Sequence, residues 1–275
     1  MSRKSIKWVF IYIYICFLVF CPAEGRDFHV FDVVGDSISY GINPEEGTYG
    51  WVQMIMGEGG GTYPPAQSTT LYSLWPSITA YNTAASGSRA SDWAANNYSL
   101  LSTVMGHHPD LVIVMIGGND FIAYSADGNV TTAEYQEYQE NLNIILDTLK
   151  TLSPQPVILL VDYYDLFDGY SQSLPLTGYS YRKMSETVVN GNQIIRDAAS
   201  LKDCIPVDIY QPFFHHCYGG SLGDTQHLLP DYVKTPLTDF DIHPSTAGHR
   251  VIYQTVYQAL KNLQATPVTH WELYP

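Results

Sequence analysis

Two stretches of this sequence are apolar almost without interruption: Asp110–Ile116, read DLVIVMI, and Pro156–Val161, read PVILLV. Both have the length of a strand and are far too short to span a bilayer as a helix. A strand with one wet face alternates apolar and polar side chains. A continuous run needs cover on both faces, which is the condition of a parallel sheet. Three shorter runs complete a set of five: His29–Val34, Ile78–Thr83 and Ile205–Ile209. Between them lie helical patterns at Tyr49–Met56, Ala90–Met105, Thr132–Leu152, Tyr181–Ala199 and Ala247–Leu263. In Thr132–Leu152 the residues Tyr135, Leu142, Ile145, Leu146 and Leu149 recur at helical spacing, with Thr131 or Thr132 as the cap. Strands alternating with helices predict an α/β protein whose parallel sheet is sandwiched by helices. Gly57–Pro76, Tyr163–Tyr179 and Pro212–Thr238 read as excursions beyond the carboxyl ends of the strands. Open α/β sheets bind their ligands at those ends.

The first 25 residues stand apart from this pattern. Arg3, Lys4 and Lys7 precede an uncharged stretch from Trp8 to Phe20, and small or turn-forming residues follow to Gly25. This is the layout of a secretory signal peptide, with cleavage after Ala23 or Gly25. As a helix the apolar stretch reaches only ~20 Å, against a hydrocarbon core of ~30 Å, so a signal anchor is the weaker reading. Residues 1–25 are therefore read as a signal and 26–275 as a single domain, secreted or periplasmic, with no stable membrane span after cleavage. Cys16 and Cys21 leave with the signal. Cys204 and Cys217 remain, and in an exported protein such a pair predicts one disulfide. Two sequons, Asn97-Tyr98-Ser99 and Asn129-Val130-Thr131, are sites for glycosylation where the source performs it.

Composition narrows the function classes. The chain is 45% hydrophobic and 15% charged, which excludes a disordered chain. Its 13 basic and 27 acidic residues give a formal charge of -14. Such a surface repels phosphate backbones, so no nucleic-acid partner is expected.

Four segments, each after a strand or before a helix, carry the residues suited to chemistry. Gly35-Asp36-Ser37-Ile38-Ser39 follows the first strand and projects a serine hydroxyl over the sheet's edge. The second, Asn82–Arg89, contains Gly87, whose N–H can face a ligand with no side chain in the way. Gly117-Gly118-Asn119-Asp120 comes immediately after DLVIVMI and presents an amide donor. The fourth, Asp239-Phe240-Asp241-Ile242-His243-Pro244, lies before the last helix and holds a histidine among carboxylates, a setting for general-base work. Each segment alone also reads as an ordinary turn or cap. His215, His216 and Cys217 are adjacent, and no metal site is read there, because neighbours in sequence rarely converge on one ion without distant ligands. No cofactor motif is present.

Taken in order, GDSIS, the Gly87 segment, GGND and the His243-Pro244 segment resemble the four blocks of the SGNH hydrolases, also called GDSL esterases/lipases. The resemblance spans roughly residues 30 to 260. It implies a flavodoxin-like three-layer α/β/α sandwich and hydrolysis of esters through an acyl-serine, without cofactor or metal. It also implies Ser37 as nucleophile, His243 as base, and an oxyanion hole made of the Ser37 and Gly87 N–H groups with the Asn119 side chain. The Gly-x-Ser-x-Gly elbow of the α/β-hydrolases is absent around Ser37. The sequence departs from the family at the acid partner. The family's Asp three residues before the histidine is Phe240 here, which cannot accept a hydrogen bond. In an extended segment residues i and i+2 share a side, which favours Asp241 over Asp239 as the group that orients His243. A dyad oriented by a backbone carbonyl is the remaining alternative. The expected substrates are small-molecule, lipid or acylated-carbohydrate esters. A carbohydrate O-acetylesterase and a non-catalytic exported binding module are the rival functions.

Overall fold

A computed structural model describes residues 26–42, 49–57, 69–174, 181–226, 230–234 and 241–265. The signal-peptide reading of residues 1–25 and the candidates Asp239 and Phe240 lie outside the described residues. Five parallel strands form one sheet: β1 Val30–Gly35, β2 Thr79–Ala80, β3 Leu111–Met115, β4 Val157–Val161 and β5 Ile205–Val207. Their order is β2-β1-β3-β4-β5, the flavodoxin-like order. Every residue of β3 is buried, because its apolar side chains meet cover on both faces of the sheet.

The helices are α1 Ser37–Tyr40, α2 Trp51–Ile55, α3 Leu71–Leu74, α4 Ala90–Ala94, α5 Leu100–His107, α6 Gly118–Ser125, α7 Thr132–Leu149, α8 Met184–Leu201, α9 Tyr210–Phe213 and α10 Thr246–Ala265. They cover the sheet in two groups, with α4, α7 and α8 packed side by side and α10 packed on α2 and α3. In α7 the Thr131 hydroxyl accepts from the Glu134 N–H while Glu134 accepts from the Thr131 N–H, so the first turn is closed reciprocally. The stripe Tyr138, Leu142, Ile145, Leu146 and Leu149 is buried against the sheet and its neighbours. Each such side chain contributes roughly 1.5–3 kcal/mol on burial.

Three predicted elements differ. Of the strand expected over Ile78–Thr83, only Thr79–Ala80 forms β2. Ala90–Met105 is not one helix. Asn96, Tyr98 and Ser99 have φ of 54°, 53° and 59°, and these left-handed residues break the path between α4 and α5. Conversely, α6 starts inside a segment that reads as a turn. Gly117, at φ 138°, supplies the sharp exit from β3 that lets a helix begin at Gly118.

The expected Cys204–Cys217 disulfide is absent: both thiols are free and buried. Topology is the reason. Cys204 immediately precedes β5, at the amino end of the sheet. Cys217 lies past α9, where its neighbour Tyr218 donates its N–H to Leu166 O, beyond the carboxyl end of β4. Each sulfur sits near a carbonyl of its own turn instead, Lys202 O at 3.6 Å and Phe213 O at 3.7 Å. Burial raises the Cys204 thiol to about 11 and holds Cys217 well above the usual thiol range, so neither is a ready thiolate. Alkylation of the denatured protein without reductant should therefore modify both Cys204 and Cys217, as read by peptide mass spectrometry.

Candidate active site

β1 and β3 end at the same level, with Gly35 paired to Met115. Three of the four candidate segments leave the sheet beside this point. After Gly35, Asp36 caps α1 by accepting from the Ile38 N–H at 3.0 Å. Ser37 is thus the first residue of α1, a position whose N–H has no acceptor within the helix. Its side chain is nearly buried, at 5% exposure.

The Gly87 segment is tied to the same strand end. Gly35 O accepts from the Ala85 N–H at 2.9 Å and from the Ser88 hydroxyl at 3.2 Å. Gly87, between them, has φ 79°, and nothing lies within 4 Å of where a Cβ would stand. Asn119, in the first turn of α6, donates one amide N–H to Ser88 O at 3.0 Å. The second N–H of that amide remains for a ligand.

His243 comes from the segment before α10. Its Nε2 lies 2.9 Å from Ser37 Oγ and its Nδ1 lies 2.7 Å from Asp241 Oδ1. The same carboxylate oxygen accepts from the His243 N–H at 3.0 Å. Burial pushes the Asp241 carboxyl up. The hydrogen bonds from the His243 backbone and ring, with the charges of His243 and Lys234, more than offset this and hold it below its ordinary value. An ionised carboxylate only accepts, so Nδ1 carries the proton. Nε2 then has a lone pair facing the Ser37 hydroxyl. The structure thus gathers Ser37, His243, Asp241 and Asn119 in one cluster, with Gly87 held beside it.

Tyr163, Tyr164 and Asn192 shape the site and carry no readable signal in the sequence. Tyr163 donates its hydroxyl to Asp36 Oδ2 at 2.7 Å, and Tyr164 donates to Ile242 O at 2.6 Å. Asn192 of α8 holds the Tyr163 backbone from both sides, accepting from its N–H at 2.9 Å and donating to its carbonyl at 2.7 Å. Asp120, next to Asn119, accepts from the Ala90 N–H at 3.0 Å and so ties α6 to α4. A small cleft open to solvent is lined by Ser37, Asn119, Phe121, Tyr163, Met184 and Val188. His215 and His216 face separate carboxylates, Asp224 and Asp231. Among the described residues no group of three or more His, Cys, Asp or Glu could hold a metal ion. Among them, too, no helix is long and apolar enough to cross a membrane.

A family model, the GDSL-like Lipase/Acylhydrolase family, matches residues 33–251. The chain belongs to this family. It is similar to a GDSL esterase/lipase, WDL1, of Oryza sativa subsp. japonica, at 26% identity over 173 residues. That match spans 61% of this chain and 59% of the rice protein's own length. Among solved structures, a catalytic variant of Axe2, an acetylxylan esterase from Geobacillus stearothermophilus, matches with a TM-score of 0.57 and 20% identity over 86% of this chain and 95% of that one. The acetyl xylan esterase AlAXEase matches with a TM-score of 0.59 and 16% identity over 84% and 99%. Identities this low mark a likeness of fold.

Burial makes pH matter for stability. It raises Asp36 and Asp168 to about 6 and Asp120 and Asp162 to about 7, and the hydrogen bonds each carboxyl accepts only partly offset the rise. Each binds its proton more tightly folded than unfolded. The resulting stabilisation is full below the ordinary carboxyl value of 3.8 and is lost as the pH rises through 6 to 7. His249 acts oppositely: burial lowers it to about 4, so its contribution is present above 6.5 and lost as the pH falls. Above pH 6.5 the carboxyl effect stands almost alone. Urea midpoints should therefore fall as the pH rises from 6.5 and level off toward pH 8, and a flat profile from pH 6.5 to 7.5 would contradict the assigned shifts.

Proposed function

We propose that the protein is an exported serine hydrolase that cleaves carboxylic esters through an acyl-serine at Ser37. Residues 1–25 serve as its secretory signal and 26–275 as its single domain. The reading is carried by the hydrogen-bonded series Ser37 Oγ, His243 Nε2, His243 Nδ1 and Asp241 Oδ1, with separations of 2.9 and 2.7 Å. Serine is a weak nucleophile until a base takes its proton. As Ser37 Oγ attacks the ester carbonyl, the proton passes to His243 Nε2, and Asp241 stabilises the imidazolium without taking the proton. The oxyanion of the tetrahedral adduct meets the N–H of Ser37, the N–H of Gly87 and the free amide N–H of Asn119. Collapse breaks the C–O bond to the alcohol, which leaves with the proton from His243. Water, deprotonated by His243 in turn, attacks the acyl-serine and releases the acid and the free serine.

A second reading is favoured by one observation. Tyr40 is 54% exposed and stands three residues after Ser37 on α1. Its ring offers a platform for a sugar, as an O-acetylesterase of acylated carbohydrate requires. The acetylxylan esterases among the solved relatives fit that reading. Release of acetate from acetylated xylan faster than from nitrophenyl acetate decides for it.

A fluorophosphonate probe tests the mechanism. Wild type should be labelled at Ser37, and Ser37→Ala should lose both labelling and nitrophenyl-ester hydrolysis while keeping its circular dichroism spectrum. Undiminished labelling of Ser37→Ala at another serine would sink the assignment, and no labelling of wild type would indicate a binding module. Asn119→Ala should lower kcat by roughly 10²–10³ with little change in KM, because the amide acts on the transition state. Asp241→Asn should reduce kcat by up to about 10⁴, since the amide favours the wrong imidazole tautomer; a loss below tenfold would hand the orienting role to another group.

A further inference from the structure

The sequence holds two acceptor triplets for N-linked sugar, and the fold treats them differently. Asn97-Tyr98-Ser99 forms the turn between α4 and α5, and all three residues are exposed. Tyr98 is 93% exposed, the most open of the large hydrophobic side chains among the described residues. Its φ of 53° is left-handed, as are those of Asn96 and Ser99, a conformation that a bulky side chain rarely adopts. Neighbouring contacts hold this strained turn in place. The Asn96 side chain accepts from the Ser102 N–H at 2.8 Å, and Ser99 O accepts from the Ser102 and Thr103 hydroxyls at 3.0 and 2.8 Å. The Asn97 amide donates to Asp92 Oδ1 at 2.9 Å, while the other Asp92 oxygen accepts from the Arg89 N–H. An amide nitrogen carries two N–H groups, so one remains for a bond outside the turn. The other triplet, Asn129-Val130-Thr131, is built differently: Val130 is half-buried and the Thr131 hydroxyl closes the cap of α7.

We propose that Asn97 is an N-glycosylation site and that the Tyr98 ring is the seat of its first sugar. Strain that surrounding contacts over-determine points to a duty for the segment that carries it. Adjacent residues have Cα atoms ~3.8 Å apart, so a sugar on Asn97 Nδ2 has the ring of Tyr98 within reach. The C–H face of a pyranose suits the apolar face of that ring, which no other part of the fold covers. The co-reactant is a lipid-linked oligosaccharide diphosphate. A bond forms between Asn97 Nδ2 and the anomeric carbon, and the bond from that carbon to the phosphate oxygen breaks. The lipid diphosphate leaves with the electron pair, and the proton displaced from Nδ2 passes to solvent. The second N–H of the amide keeps its hydrogen bond to Asp92. The inference rests on the export reading, since the donor is met in the secretory pathway, and goes beyond it by naming the residue modified and the ring that receives the sugar.

The test uses the full chain carrying Asn129→Gln, secreted from a eukaryotic host. Peptide mass spectrometry of the secreted protein should find sugar on Asn97. An endoglycosidase then trims the glycan to its first sugar, and the cost of Tyr98→Ala is read from urea unfolding of that one-sugar protein. There Tyr98→Ala should lower the folding equilibrium constant roughly threefold to tenfold. In a Ser99→Ala background, which keeps Asn97 but destroys the triplet, Tyr98→Ala should leave that constant within about twofold. Should Ser99→Ala fail to fold, protein stripped of all sugar by an amidase takes its place. Secreted protein with Asn97 unmodified would overturn the site, and an equal cost of Tyr98→Ala with and without the sugar would overturn the role of the ring. Retention of the chain in the host under its own leader would sink the export reading alone. Behind the host's leader the same two readouts still decide for Asn97.

Discussion

Parallel pairing of β1 with β3, in the register that sets Gly35 opposite Met115, fixes the places of Ser37 and Asn119. Both strands stop at that level, and the chain order reverses there, since β1 connects outward to β2 and β3 onward to β4. A crevice opens at such a reversal because consecutive connections leave on opposite sides. Ser37 emerges two residues beyond one strand and Asn119 four beyond the other. The Gly87 segment is then drawn in by the carbonyl of Gly35 itself. A slip of one residue would carry each side chain of the slipped strand to the opposite face, against other packing partners, and would turn the serine away. The packing cost of that slip holds the register.

How far the sequence discloses this follows from which forces act locally. Strands β3 and β4 are legible because continuous apolar runs have few other uses in a chain of this composition. Helices α7, α8 and α10 are legible through their stripes and, for α7, through the Thr131–Glu134 cap. Helix α6 is not, since Gly-Gly-Asn-Asp has the composition of a turn, and its helical state depends on packing against α8 and on the Asp120 contact with Ala90. The break between α4 and α5 is hidden too, in residues with no glycine to announce positive φ. Cysteine arithmetic misleads for a related reason. Thirteen residues of separation is a modest loop on paper, but β5 and α9 intervene and carry the two thiols to opposite ends of the sheet. In the site, the motif residues are visible because chemistry demands their types. Tyr163, Tyr164 and Asn192 act through contacts that only the fold creates.

The aspartates of the motifs illustrate a cost the site accepts. Asp36 is enclosed, and burial raises its carboxyl to about 6 despite the Tyr163 hydroxyl and the Ile38 N–H. Its position cannot be given up without losing the cap of α1, and α1 begins with Ser37. Asp120 shows the same balance at about 7, where one carboxyl holds the start of α4 against α6. An apolar residue at either place would relieve the desolvation and leave a backbone donor unmet. The two carboxyls are therefore structural supports for Ser37 and Asn119, and their tendency to take up a proton follows from that duty.

His243, together with Asp241, is positioned by no strand. It sits in an irregular segment, and its placement to within hydrogen-bond range of Ser37 needs another source of rigidity. The segment is braced on one side by an isolated antiparallel bridge between Val233 and Pro244 and by the Ser245 N–H donating to Tyr232 O at 3.0 Å. On the other side Tyr164 holds the carbonyl of Ile242, and its ring stacks on Phe213 at 4.4 Å. Phe213 meets Tyr232 edge-on at 5.4 Å, so the two braces share one aromatic wedge. Beyond Pro244, Ser245 caps α10 by accepting from the Gly248 N–H at 3.2 Å. Asp241 adds the last constraint by gripping both the backbone and the ring of His243 through one oxygen. An aspartate two residues away can do this because its carboxylate folds back over the intervening backbone. On the proposed mechanism, that local grip lets an acid partner work from position 241 where the family's usual position holds a phenylalanine.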